Sequence, residues 1–271
     1  MRRGDHAGDG PPGLLKFGMP DEDGYFGEPV AAHYDESSSE MFRPEVVDPT
    51  VDFLAELAGE GRALELGIGT GRIALPLAAR GVPVHGIELS KAMVARLRAK
   101  PGGGGIGITI GDFATATADG TFRLAYLVFN TISNLTTQDA QVACFRNVAR
   151  HLGPGGRFVI EVGVPDLRRL PYGERFVIFD VSENHWGVDE YDVATQGLVS
   201  HHFERRGDGF EKSSGPFRYV WPSELDLMAQ LAGMRLRERW ADWRRQPFGN
   251  DSTKHVSVWE MPGDVERQPS A

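Results

Sequence analysis

Apolar residues along this chain fall into short buried runs that alternate with stretches in which they recur every three or four positions. Residues 45–58 open the regular part, with Val47, Val51, Leu54 and Leu57 on one side, the period of an amphipathic helix. A first strand is predicted over about 62–66 and a helix over about 71–80, with Pro76 in its early turns or bending it and Gly81 past its end. A second strand runs from Val82 to Glu88, and Ser90 caps a helix carrying Met93, Val94 and Leu97. Gly102–Gly105 is a loop before a third strand, Ile106 to Ile110. A fourth strand covers Leu124 to Phe129. Thr136 and Asp139 read as a capping box for a helix with Val142, Phe145, Val148 and Leu152 on one face. Gly153-Pro154-Gly155-Gly156 closes that helix, and Phe158 to Val162 is a fifth strand.

Strands alternating with helices imply a doubly wound α/β architecture on a parallel sheet. The pattern then changes. Residues 167–220 show no helical period, only strand-like runs at Phe176 to Val181, Gly197 to Phe203 and Phe217 to Trp221, so an antiparallel insertion is expected there. Ser223 and Asp226 form a second capping box before a helix with Leu225, Met228 and Leu231. The strands Met234 to Trp243 and His255 to Met261 close the chain as an antiparallel pair across the loop 247–251. The expected organisation is a disordered tail (1–20), a lid (21–44), a core (45–166 and 221–262), the insertion (167–220) and a short tail (263–271). No internal repeat is present.

The 271 residues suffice for one α/β domain with an insertion. A net charge of −9 argues against a phosphate backbone as partner, so nucleic acid is not expected. The single cysteine, Cys144, permits no disulfide within the chain and fits a reducing cytoplasm. No run is apolar enough to span a membrane, and the amino terminus lacks the apolar core of a signal peptide.

The most informative run is Ala63-Leu64-Glu65-Leu66-Gly67-Ile68-Gly69-Thr70-Gly71. A strand feeds three alternate glycines, which allow a tight turn and the approach of a ligand to bare backbone. Two registers compete. Gly67-x-Gly69-x-Gly71 is the spacing of S-adenosylmethionine (SAM) sites, whereas Gly69-x-Gly71-x-x-Ala74 satisfies the dinucleotide pattern of NAD-dependent oxidoreductases. A turn that holds nothing is the third reading. Glu88 serves as ribose acid in either register. Three features favour SAM: Glu65 suits a cationic ligand rather than a pyrophosphate; Gly111-Asp112-Phe113 can read an adenine amino group through Asp112 and pack its ring on Phe113; and the chain ends in a helix and an antiparallel strand pair.

Taken with Gly86-Ile87-Glu88-Leu89-Ser90, Met93 and Leu152-Gly153-Pro154-Gly155-Gly156, these runs resemble a class I SAM-dependent methyltransferase of the small-molecule type, over roughly residues 25–261. The resemblance implies a Rossmann-like, seven-stranded sheet whose last strand is antiparallel. It implies Gly67, Gly69 and Gly71 around the methionine part of SAM, Glu88 on both ribose hydroxyls, Met93 and Phe113 about the adenine, and Asp112 on its amino group. Leu89, Phe129 and Asn130 complete the cofactor set. Tyr34, with Asp35, and Arg43 resemble lid elements over the SAM amino acid. The insertion resembles a substrate and dimer module, which implies a homodimer.

Chemistry is expected outside the carboxyl ends of the strands. Asn130, Asn134 and Glu161 belong to that edge, as does His255 at the start of the last strand, and the lid brings Tyr25 and Glu28 toward it. Alignment alone supplies about 7–11 kcal/mol in such a transfer. The remaining task is proton management, for which His255, oriented by Glu28 and joined by Tyr25, is the candidate base. Asn134, Glu161, Trp186 and Phe248 are assigned to the acceptor pocket, and no residues have the spacing of a metal site. The lid and terminal strand look similar to indole carbon-3 methyltransferases of alkaloid pathways. The expected reaction is therefore methylation of indole carbon 3 in secondary metabolism. N-methylation of an amino sugar or amine is the alternative, and NAD-dependent oxidoreduction a further one.

Overall fold

The structure is a computed structural model that describes residues 23–263; the tail expected over 1–20 and most of that over 263–271 lie outside the described residues. Its helices are α1 (Glu28–Ala31), α2 (Tyr34–Ser37), α3 (Pro44–Ala58), α4 (Ala74–Ala79), α5 (Lys91–Ala99), α6 (Gln138–His151) and α7 (Pro222–Leu231). Its strands are β1 (Ala63–Leu66), β2 (Val84–Glu88), β3 (Gly107–Ile110), β4 (Phe122–Leu127), β5 (Leu152–Gly163), β6 (Phe176–Val181), β7 (His185–Asp192), β8 (Gly197–Arg206), β9 (Gly209–Arg218), β10 (Arg235–Trp240) and β11 (Lys254–Glu260).

Seven strands form one sheet in the order β10-β11-β5-β4-β1-β2-β3. β11 runs against both neighbours, and the remaining pairs are parallel. The expected doubly wound sheet is therefore present. Side-chain alternation divides its core into two layers. Leu64, Leu66, Phe158 and Ile160 pack toward α6 and α7, where Phe145, Phe158 and Trp259 meet with ring centroids 5.1–6.1 Å apart. Ala63, Leu124, Tyr126 and Val258 pack toward α3 and α4. From β1 the chain winds outward through β2 and β3, then crosses back to β4. The β1–β4 boundary is thus the switch point where a crevice opens.

Local signals were read correctly at Ser90, whose Oγ accepts the Met93 N–H at 3.1 Å. Elsewhere the caps differ. Thr137, not Thr136, caps α6 by accepting from Ala140 N. α7 starts at Pro222 with Trp221, which has no side-chain acceptor, at its Ncap and Ser223 inside the helix, while Asp226 pairs with Arg239 and accepts Trp259 Nε1–H at 2.9 Å. The run 153–156 does not end the helix as a free loop; it belongs to β5, which begins at Leu152 and shifts register against β4. β4 stops at Leu127, before Phe129 and Asn130, whose φ values of +54° and +60° turn the chain out of the sheet.

The insertion is a four-stranded antiparallel meander, β6-β7-β8-β9. β7 and most of β9 escaped the sequence reading. Their inward positions carry His185, Gly187, Asp189, Glu211 and Ser213 rather than apolar residues, so the alternation that marks a strand on a dry core is missing. The meander joins the core through Arg218, which is buried and donates to Glu224 (2.8 Å) and Gln141 (2.5 Å) on α7 and α6.

His255 does not open onto the strand edge as expected. It is fully buried on the α7 side of β11, with Nδ1 on Ser257 Oγ at 2.7 Å and the Phe248 ring 5.7 Å away. Its Nε2 has no hydrogen-bond partner among the described residues. Burial first, and the Arg239 guanidinium second, hold its pKa down to about 4, so the imidazole is neutral. Between the ordinary histidine value of 6.5 and about 4, the unfolded chain takes up a proton that the folded chain refuses. The stabilisation from His255 is therefore complete above pH 6.5 and lost as pH falls toward 4, up to about 3 kcal/mol. Urea titrations of His255→Gln should show a shallower loss of stability than the parent between those pH values. Identical slopes would refute a buried neutral imidazole.

Candidate active site

The carboxyl ends of β1, β2 and β3 frame a cleft of about 310 Å³ lined by Gly67, Gly69, Glu88, Leu89, Met93, Asp112 and Phe113. The loop after β1 is held by main chain and by one carboxylate. Gly67 N–H donates to Ile87 O at 2.8 Å and Gly69 N–H to Glu88 Oε2 at 2.8 Å; the other Glu88 oxygen accepts from Ser90 N at 2.9 Å. Burial pushes the Glu88 pKa up, and these N–H groups pull against that shift. Gly67 has φ +68°, and a Cβ there would lie 2.7 Å from Thr131 Cγ2, so only glycine leaves this wall open.

The lid closes the cleft from above. Asp23 Oδ1 accepts Lys91 N–H at 2.8 Å, and Ser90 Oγ donates to Phe26 O at 2.7 Å, fixing the segment on the start of α5. Asp35 accepts from Thr70 Oγ1 at 2.6 Å and pairs with Lys100, tying α2 to the glycine loop. Tyr25, Phe26 and Tyr34 then face the cleft.

A second cavity of about 1340 Å³ lies beside the first, between the strand ends and the inner face of the meander. Tyr25, Phe26, Tyr34, Thr131, Asn134 and Phe217 line both. Phe129 and Asn130 line the larger cavity only, and Asn130 Oδ1 accepts Gly163 N–H at 2.7 Å. The meander contributes His185, Asp189, Tyr191, Leu198, Ser200, His202 and Glu204.

Several expected site residues lie elsewhere. Glu65 lines neither cavity. It points under the loop, accepts from Tyr126 Oη at 3.0 Å, and is pushed up by burial to about 8. Gly71 is a packing position against Leu97 and Leu75. Arg43 is exposed, pairs with Glu40 and lines neither cavity. The cation near the cleft is Arg72, over the Phe129 ring at 5.4 Å and within the field of Tyr34. Glu161 holds the Phe129 turn, accepting Phe129 N–H at 3.1 Å and pairing with Lys254 at 2.8 Å. Trp186 stacks on Phe210 on the outer face of the meander, and Phe248 packs on His255. The expected convergence of Tyr25, Glu28 and His255 does not form: Tyr25 lines both cavities, Glu28 is ion-paired with Arg96, and His255 is enclosed. The residues missed were those of the meander. The period of two in Leu198, Ser200, His202 and Glu204 could have placed them on one face had the facing sheet been known.

The glycine cradle and the Glu88 carboxylate fit an adenosyl ligand with a ribose at β2 and an adenine at β3. Gly67→Ala should therefore abolish detectable S-adenosylhomocysteine (SAH) binding by calorimetry and cost about 1–3 kcal/mol in stability from backbone strain. Parental SAH affinity in that variant would show that the cradle is not the ligand's wall.

Comparison with known proteins agrees with this geometry. The methyltransferase domain family matches residues 63–156. The structure of the CcbJ methyltransferase from Streptomyces caelestis superposes with a TM-score of 0.79 at 36% identity, covering 90% of this chain and 100% of that one. The cypemycin N-terminal methyltransferase of a Streptomyces species is 24% identical over 237 residues, 84% of this chain and 97% of its own. SAM-bound CalS10 from Micromonospora echinaspora, an amino pentose methyltransferase, shares the fold at TM-score 0.61 and 23% identity, covering 89% of this chain and 99% of that one. These likenesses set aside the dinucleotide register and the oxidoreductase reading. With SAM as its cofactor, the chain belongs to the class I SAM-dependent methyltransferases.

Proposed function

We propose that this methyltransferase acts on an amine nitrogen of a small secondary metabolite. The observation that carries this reading is the polar wall facing the cofactor cleft. Asp189, Ser200 and His202 project from β7 and β8 into the cavity that shares six residues with the cleft; Glu204 beside them is paired with Arg206 at 2.7 Å, and Arg205, also on this wall, pairs with Glu183. Asp189 is half-buried; burial raises its pKa, and the Ser200 hydrogen bond, with the His202 and His201 imidazoles beyond it, pulls the other way. A cationic amine gains from such a wall, whereas a neutral flat ring does not need it. Relatives named for nitrogen acceptors support the same reading: the cypemycin N-terminal methyltransferase, the amino pentose methyltransferase CalS10 and the sugar N-methyltransferase KedS8 from Streptoalloteichus. Methylation of indole carbon 3 drew its base from Tyr25, Glu28 and His255, and it loses that support when the three stand apart.

In this reading Glu88 would hold the ribose hydroxyls, Met93 and Phe113 would flank the adenine, and Asp112 would accept a hydrogen bond from its amino group, with Gly67, Gly69 and Tyr34 at the methionine end. Bound there, SAM supplies an electrophilic methyl group on a sulfonium. The chain's own work is to align the acceptor, exclude water through the lid segment 23–37, and keep the acceptor nitrogen unprotonated.

Mass spectrometry of glucosamine, prolinamide and tryptophan incubated with methyl-labelled SAM should place the label on nitrogen of an amine. Label on the indole ring carbon alone would overturn the reading. Asp112→Ala should weaken SAH binding by about 10- to 100-fold, the worth of one hydrogen bond to a charged group. Unchanged affinity would remove Asp112 from the adenine site.

A further inference from the structure

The inner face of the meander carries a connected line of side chains that the transfer itself does not require. His185 Nδ1 lies 2.6 Å from Asp180 Oδ2, and His185 Nε2 lies 2.9 Å from His202 Nδ1. His202 Nε2 lies 3.3 Å from Ser200 Oγ, and Ser200 hydrogen-bonds to Asp189. The line starts on β6, crosses β7 and ends on β8, at the wall of the acceptor cavity. A register shift between Ile178 and Asp180 turns the β6 end inward, and the Phe179 ring packs 5.5 Å from His202 over Gly187, where a Cβ would meet it at 2.2 Å.

Hydrogen-bond direction is set from the Asp180 end and switches at Ser200, whose one hydroxyl proton goes either to His202 Nε2 or to Asp189 and, turned to Asp189, leaves Nε2 free. The Asp180 carboxylate accepts only, so His185 Nδ1 carries the proton and His185 Nε2 accepts. His202 must then donate from Nδ1, which leaves its Nε2 lone pair as the acceptor at the cavity end. This is the arrangement of a base oriented by a second imidazole and anchored by a carboxylate.

We infer that Asp180, His185 and His202 form a proton relay that takes the proton from the acceptor amine, with His202 Nε2 as the catalytic base and His185 and Asp180 as positioning residues. The inference rests on the amine reading above. An amine bound as its ammonium has no lone pair. Loss of one proton to His202 Nε2 frees that pair, which forms the N–C bond as the C–S bond breaks and its electrons return to sulfur. The proton on Nδ1 of His202 passes to His185 Nε2, so positive charge comes to rest beside Asp180. Burial first, and His185 second, lower the basicity of His202, while Asp189 and Glu204 raise it and His201 opposes them. His202 is therefore unprotonated and ready at neutral pH. Tyr25, within the field of Glu204, Ser213, paired with His202 across β8 and β9, and the Arg205 and Arg206 guanidiniums, the latter on Glu204, are further polar groups on the cavity side.

Two measurements test this. Long-range proton–nitrogen NMR of the SAH complex should show both His185 and His202 as the Nδ1–H tautomer; an Nε2–H tautomer at either would overturn the relay. Kinetics use whichever of glucosamine or prolinamide is turned over. His202→Gln should lower kcat by about 10²–10⁴-fold with SAH affinity within twofold of the parent, and should abolish the acid limb of the pH profile. Asp180→Asn should lower kcat near pH 7 about tenfold and move that limb toward acid, and Asp180→Glu should restore it. Turnover with unchanged profiles in both His202→Gln and Asp180→Asn overturns the base role alone. Methylation of tryptophan at the indole ring carbon, and of neither amine, overturns the acceptor reading and the base role together.

Discussion

The Glu88 carboxylate is the point on which the site depends. One oxygen accepts the Gly69 N–H and the other the Ser90 N–H, so a single side chain at the end of β2 sets both the glycine loop after β1 and the start of α5. The lid is anchored to that same helix start, through Asp23 on Lys91 and Phe26 on Ser90. A buried carboxylate is costly unless satisfied, and here its satisfaction is the geometry of the cleft. The loop, the helix and the lid are therefore one mechanical unit, held by Glu88 from inside and by the Asp35–Lys100 and Glu28–Arg96 ion pairs at the surface.

The second sheet gives the molecule its chemical asymmetry. Toward the parallel sheet the cleft offers bare backbone, glycine, apolar rings and the Glu88 and Asp112 carboxylates, which suit an adenosyl group. Toward the meander it offers carboxylates, serines, imidazoles and the Arg205 and Arg206 guanidiniums. The buried Arg218, bridging Gln141 and Glu224, ties the meander to α6 and α7 and fixes how far its inner face stands from the strand ends. A polar face can survive on an inserted sheet because it borders a solvated cavity. The same polar positions in β1 or β4, enclosed on both sides, would be orphaned.

Much of the parallel half was legible in the sequence because its strands are enclosed on both faces and so read as unbroken apolar runs. Ser90 was legible as a cap for a local reason: an Ncap serine needs only the N–H three residues on. Thr136 and Ser223 were less so, since adjacent candidates compete and tertiary partners decide. Asp226 went to Arg239 and Trp259 instead of its own helix end. Leu198, Ser200, His202 and Glu204 show a strand's period, yet nothing local says that they face a cavity. Trp186 looked like a pocket wall because it is aromatic, but one step of register puts it on the outer face against Phe210.

By itself the sequence determined the α/β architecture, the glycine cradle, the acidic residue at the end of β2 and the adenosyl cofactor, since each is written in residues close together along the chain. Only the tertiary structure decided which distant groups meet. It buried His255 beneath Phe248, drew Glu28 to Arg96, and joined Asp180, His185 and His202 across three strands. The reason is the range of the forces. Backbone conformation and burial period act over a few residues, whereas a hydrogen-bonded line between strands depends on register, and register is set by the whole sheet.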